Sequence, residues 1–194
     1  MQRRRALMMG EKKARLPGEY QEVEWIQTVR DKTRFIFPVT ELPPIFEVKM
    51  CNTTNESWAG VMFYRGGSYL TIERKNAQEP YYQLTSLPSG RTLLSNINVQ
   101  TKSILRVDNG TFTVNGENVG TIEVDSFLPT HLYLCGSYGT SRQTRLWYYI
   151  DAGRHLVPCY KKSDGTKGLY DIVNKEFNSG AGDQQYFTIG PEVN

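Results

Sequence analysis

The sequence predicts an all-β fold, an antiparallel β-sandwich of short strands, and three observations carry that expectation. Runs that alternate apolar with polar residues recur about every ten positions, each followed by its own turn. Twelve Tyr, seventeen Gly and many Thr and Val favour strands and turns over helices. A hydrophobic content of 39% suits an antiparallel sandwich, whose strands turn every second residue to water. A chain of 194 residues can bury one substantial core. The expected division is a basic N-terminal arm over 1–15 and a sandwich domain over 16–194.

The elements follow in order. Val23, Trp25 and Gln27 alternate with Glu22, Glu24 and Ile26, as in a strand near a sheet edge. Phe35-Ile36-Phe37 is a strand stopped by Pro38, and Leu42-Pro43-Pro44 forces an extended connection into the alternating run 45–50. The polar stretch 51–57 reads as a loop. Runs 59–64 and 69–74 flank Arg65-Gly66-Gly67-Ser68, a glycine hairpin. A strand over 81–85 ends at the Leu87-Pro88-Ser89-Gly90 turn. Strands at 103–107 and 111–114 embrace Asp108-Asn109-Gly110, and Asn115-Gly116 turns the chain into 117–124. Leu132-Tyr133-Leu134-Cys135 reads as a central strand, 136–143 as a loop and Leu146–Ile150 as an aromatic strand. In the last forty residues, Leu156-Val157 and Gly168-Leu169-Tyr170 flank a Ser163-Asp164-Gly165 turn, the mark of a further hairpin.

Composition also excludes function classes. A net charge of +3, dispersed beyond the first fifteen residues, does not describe a nucleic-acid groove. No stretch approaches the roughly twenty apolar residues of a membrane span. Arg3-Arg4-Arg5 before Ala6-Leu7-Met8-Met9 mimics a secretion signal, but charge returns at Glu11-Lys12-Lys13, so the apolar segment is too short. Cys51, Cys135 and Cys159 lack metal-ligand spacing and read as small buried residues within strands.

The N-terminal arm sets Arg3, Arg4, Arg5, Lys12, Lys13 and Arg15 against Glu11. It reads either as a solvated tail or as an arm laid on an acidic neighbouring subunit, with Leu7, Met8 and Met9 filling an apolar groove there. Chemistry within the domain is sparse. Glu22 with Glu24, and Glu123 with Asp125, have the spacing of paired strand carboxylates, yet neither stands in a glycosidase pattern, so no catalytic residue is assigned. His131 and His155 lie outside any nucleophile motif. No metal site is assigned; Asp108-Asn109 and Ser163-Asp164-Gly165 could offer oxygens to calcium, and each also makes a good turn. Asn52, Asn55 and Asn109 begin glycosylation-type triplets, which mark exposed loops. Aromatic side chains in or beside loops, Trp58, Tyr64, Tyr81, Tyr82 and Tyr138 with Arg65, are the glycan-binding candidates; as core or cross-strand residues they would have no such role.

Both ends carry a family resemblance. Leu16-Pro17-Gly18-Glu19-Tyr20 through Val23-Glu24-Trp25-Ile26, and the run from Pro158 to Asp171 with Val173-Asn174, Phe177 and Gly180-Ala181-Gly182, resemble the opening strand and closing signature of jelly-roll domains of the laminin-G and concanavalin A type, common among bacteriophage structural proteins and phage-derived proteins of gut bacteria. The segment 28–36 departs from the family's usual second stretch, and the middle, from about 46 to 149, matches in strand rhythm alone. The resemblance implies a non-enzymatic virion protein, made in the host cytoplasm, that decorates the capsid or tail. Its implied partners are other virion proteins, reached through the arm, copies of itself in a homo-oligomer, and host surface polysaccharide. A stand-alone lectin and a diverged glycosidase are the alternatives.

Overall fold

The computed structural model describes residues 16–54, 58–74, 80–137, 140–141 and 143–194. The basic N-terminal arm of the sequence reading lies outside these residues. The chain opens with β1 (Tyr20–Glu22), β2 (Ile26–Gln27), β3 (Phe35–Pro38) and β4 (Ile45–Asn52). Four meandering strands follow: β5 (Trp58–Arg65), β6 (Ser68–Arg74), β7 (Tyr81–Leu87) and β8 (Arg91–Asn98). Then come β9 (Ser103–Asp108), β10 (Thr111–Val114), β11 (Glu117–Thr121), β12 (His131–Leu134) and a small hairpin of β13 (Gly136–Ser137) and β14 (Thr140–Ser141). The chain closes through β15 (Thr144–Asp151), β16 (His155–Lys161), β17 (Lys167–Asp171), β18 (Glu176–Asn178), a single 3-10 turn at Gln184–Tyr186 and β19 (Thr188–Ile189).

Among the described residues these strands form two large antiparallel sheets. One runs β11-β10-β9-β4-β15-β16-β17-β18, with β1 on β16, β2 on β15 and β19 on β2; the other runs β3-β12-β5-β6-β7-β8. The fold is therefore an all-β sandwich. Strand alternation builds its core, because Phe46, Val48 and Met50 of β4 face Val61 and Phe63 of β5, Leu70 and Ile72 of β6 and Leu132 and Leu134 of β12 within one buried cluster. Phe46 meets Phe63 edge-on across the two sheets at 5.2 Å. Among the described residues no helix is long and apolar enough to cross a membrane.

Irregularities in the ladders explain where the sequence expectation slips. Between β15 and β4 the register jumps at Trp147, so Leu146 and Tyr149, three apart, both point inward. Near the start, β1 stops after Glu22 and the chain re-enters as β2 in the opposite phase. Val23 and Ile26 are consequently buried, while Trp25, expected beside Val23, stays half-exposed beneath the Arg145 guanidinium at 3.9 Å. The expected loop at 51–57 begins later than expected, since Cys51 and Asn52 finish β4. Asn52 is buried rather than displayed, with its Oδ1 accepting from Thr54. Residues 91–98, not expected as a strand, are β8. At the other end of the expected strand 132–135, Cys135 leaves the ladder at φ +62° and its N–H donates to the Gly60 carbonyl at 2.8 Å.

The two stretches that carry the resemblance meet in space. β1 pairs with β16, and the Tyr20 ring packs 4.9 Å from Tyr170 and 5.2 Å from Phe177. Leu16 joins them over Val157 and Cys159, covering the outer side of the closing hairpin. Gly168 lets β18 approach, for a β-carbon there would collide with the Asn178 carbonyl and the Phe177 ring. All three cysteines are buried and free, as their reading as small core residues expects. Burial pushes the Cys159 thiol up to about 12, which leaves it inert as a nucleophile.

Candidate functional site

The register of the six-stranded sheet assembles a face on the side away from the core. Tyr133 lies opposite Ile36 and Met62, Met62 opposite Thr71, and Thr71 opposite Thr85, which in turn pairs with Thr92. The next row sets His131 against Tyr64 and Tyr64 against Tyr69. A third row pairs Glu73 with Gln83 and Gln83 with Leu94. Since successive side chains of a strand alternate sides, one outer face carries four ring-bearing residues at one end and a carboxylate, an amide and three threonine hydroxyls toward the other.

This face is unusually dry for an outer surface. Thr71, Gln83 and Tyr133 are only 1%, 4% and 4% exposed, although they point away from the core. Rings cluster around Tyr133: His131 lies 5.8 Å away, Tyr64 meets it edge-on at 6.3 Å, and the Arg34 guanidinium sits 5.9 Å over it. At the polar end Gln83 Nε2 donates to Thr85 Oγ1 at 2.9 Å, and Thr85 in turn bonds the Glu73 carboxylate. Burial raises the Glu73 carboxyl above its ordinary range, with the Thr85 bond opposing that rise. Burial likewise raises the Tyr69 phenol, and the Glu73 charge adds to it.

A carboxyl raised in this way lends stability that is complete below its unfolded value near 4.5 and is lost as pH climbs through the folded value. Glu73→Gln is therefore expected to raise the urea midpoint at pH 7 and to leave it unchanged at pH 3.5. A variant less stable at pH 7 would mean that the native carboxylate is held by a cation.

The sequence candidates are divided by the fold. Tyr64 belongs to the outer face, and Tyr81, two residues before Gln83 on β7, shares that side half-buried. Arg65, the next residue after Tyr64, points to the opposite side at the hairpin tip, where Nη1 donates to the Leu128 carbonyl at 3.3 Å. Tyr82 is a correction. It is fully buried and its hydroxyl reaches the carbonyls of Met50, Val99 and Thr101, so it has no face to offer a sugar. Tyr138 and the side chain of Trp58 lie outside the described residues, as do Arg3, Arg4, Arg5, Leu7, Met8, Met9, Lys12 and Lys13.

Tyr69, Glu73, Gln83, Thr85, His131 and Tyr133 were missed, though the period-two spacings Tyr69-Thr71-Glu73, Gln83-Thr85 and His131-Tyr133 contain the signal.

The paired carboxylates serve structure. Glu24 Oε1 accepts from the Trp147 indole at 3.3 Å, and Glu123 pairs with Arg91 at 2.9 Å. Asp125 Oδ2 accepts from Ser86 Oγ, Ser89 Oγ and the Ser89 N–H and so fastens the 87–90 turn. Desolvation is the largest single influence and works against its charge, but those hydrogen bonds together with Arg91 outweigh it and hold the carboxyl below its ordinary value. The two candidate calcium loops are turns: Asp108 engages Arg106 and Asn109, and Asp164 Oδ1 accepts the Thr166 N–H. Among the described residues no group of three His, Cys, Asp or Glu side chains converges for a metal ion. His155 is half-buried in β16, where desolvation lowers its pKa against the pull of Asp171. No protein-family model matches the chain, and no characterised protein aligns with it significantly.

Proposed function

We propose that this protein is a non-enzymatic bacteriophage structural component that decorates the capsid or tail. In this reading residues 1–15 attach it to other virion proteins, and the outer face of the six-stranded sheet contacts glycans of the host surface. The virion role is supported by the resemblance of residues 16–26 and 158–182 to jelly-roll domains of phage structural proteins. The glycan role rests on one observation, the juxtaposition of Tyr64, Tyr69, Tyr133 and His131 with Glu73, Gln83 and Thr85 on a largely desolvated sheet face. Rings supply apolar contact for sugar faces, and the polar end supplies partners for hydroxyls. Against hydrolysis stands the solitary carboxylate, because among the described residues of these rows Glu73 has no second Asp or Glu across from it, and sugar hydrolysis ordinarily takes two.

Two assays test the reading. On an array of bacterial surface polysaccharides the protein is expected to bind, and Tyr64→Ala to lose about tenfold, the ~1.4 kcal/mol of one ring contact. Deleting residues 1–15 is expected to abolish incorporation into particles while array binding persists. Release of reducing ends from any bound polysaccharide would overturn the non-enzymatic reading, and binding without particle association would favour a stand-alone lectin.

A further inference from the structure

A separate cleft of about 480 Å³ opens at one mouth of the sandwich, between β3 and the turn that follows β17. Its size falls within the ~300–1,000 Å³ of small-molecule sites. Its walls are held in place. Asp171 Oδ1 accepts the backbone N–H groups of His155, Val173 and Asn174 at 3.2, 3.0 and 3.3 Å, and Oδ2 accepts from Asn174 Nδ2 at 2.7 Å, which pins the turn. Asn178 bridges the two sheets, donating to the Ile36 carbonyl at 3.1 Å while its Oδ1 accepts the Gly180 N–H at 2.7 Å. A cleft built this way requires little ordering when a ligand enters.

Two lining charges keep unused valence. Arg154 Nη2 donates to the Pro38 carbonyl at 2.6 Å and the guanidinium lies 6.0 Å over the Phe37 ring, so its position is fixed while its other N–H groups have no acceptor among the described residues. Glu176, exposed on β18, lines the same cleft, and among the described residues its carboxylate has no ion-pair or hydrogen-bond partner. The acceptor sites of Asp171, by contrast, are occupied by its four hydrogen bonds. One free donor group and one free acceptor group of opposite charge would each repel half of the charged ligands that enter. A pair of adjacent hydroxyls satisfies both, one oxygen accepting from the guanidinium and the neighbouring O–H donating to the carboxylate.

We infer that this cleft is a saccharide site distinct from the outer sheet face, taking one neutral hexose residue through a vicinal diol held between Arg154 and Glu176. It stands or falls independently of the sheet-face reading. The test titrates the full-length ¹⁵N-labelled protein with the methyl glycosides of glucose, galactose and mannose, and with glucuronate, followed by amide shifts. One or more neutral glycosides are expected to shift the amides of residues 173–179 saturably. Glu176→Gln is expected to weaken that binding about tenfold, the loss of one charge-assisted hydrogen bond, without altering the melting temperature, since the side chain is exposed. Arg154→Gln should weaken binding to a similar extent, with some loss of melting temperature because the bond to the Pro38 carbonyl goes with it, and Tyr64→Ala should leave the cleft shifts intact. No saturable shift with any neutral glycoside, an undiminished affinity in Glu176→Gln, or tighter binding of glucuronate would each overturn the inference, whatever the polysaccharide array shows.

Discussion

Tyr82→Ala is expected to cost about 3–5 kcal/mol of folding stability, the usual range for truncating a fully buried ring. Tyr82 stands inside the sandwich on β7, and its hydroxyl lies 3.1 Å from the Met50 carbonyl, 3.0 Å from that of Val99 and 2.8 Å from that of Thr101. It therefore links the six-stranded sheet to the end of β4 in the other sheet and to the turn before β9. Tyr82→Phe keeps the ring and removes only the donor, so about 0.5–1.5 kcal/mol should be lost, the net worth of one hydrogen bond, because the Val99 and Thr101 carbonyls still accept from the Asn52 N–H and Ser103 Oγ. Urea denaturation of the two variants separates packing from hydrogen bonding, and a Phe variant as stable as the native protein would show that the hydroxyl contributes nothing. Burial also drives the phenol far above its usual value near 10, with the Cys51 thiol adding to the rise. The group's contribution is complete below the unfolded value and declines only as pH rises past it, so the Phe variant's deficit should be constant through the neutral range.

The second large effect is expected at Asp171. This side chain is buried, and removing it takes the carboxylate acceptor from three backbone N–H groups at once and leaves the Asn174 amide only its bond to the Gly153 carbonyl. Asp171→Ala should cost about 1–3 kcal/mol, the scale of removing the shared acceptor from several part-buried donors. Asp171→Asn, which keeps one carbonyl oxygen, should recover part of the loss. Hydrogen exchange localises the effect, because the amides of Val173 and Asn174 should exchange faster in both variants than those of β4. Equal acceleration throughout the molecule would instead show that the turn is not an independently weakened unit.

These two residues also mark what could be read from sequence. Asp171 sits in a stretch whose Asp-Gly turn and flanking apolar runs predict a hairpin, and the hairpin forms with Val157 opposite Tyr170. Turn chemistry is local, so it survives the transfer from sequence to fold. Tyr82 was misread because Tyr81 and Tyr82 look alike in a string; which one faces inward depends on the phase of β7, and that phase is set by its neighbours. The outer face was overlooked for a related reason. Its residues come from β3, β5, β6, β7 and β12, and they form a site only once the ladders fix Tyr133 beside Met62 and Thr71 beside Thr85.

From the order of residues alone came the all-β class, most strand positions and the hairpin turns, since alternation and turn preference act within a few residues. Pairing across distant segments decided the rest. It brought the opening Tyr20 onto the closing Tyr170 and Phe177, inverted the phase between Glu22 and Ile26, and placed Glu73 where burial raises its carboxyl. Desolvation depends on what the whole chain packs around a group, and no short window of sequence contains that.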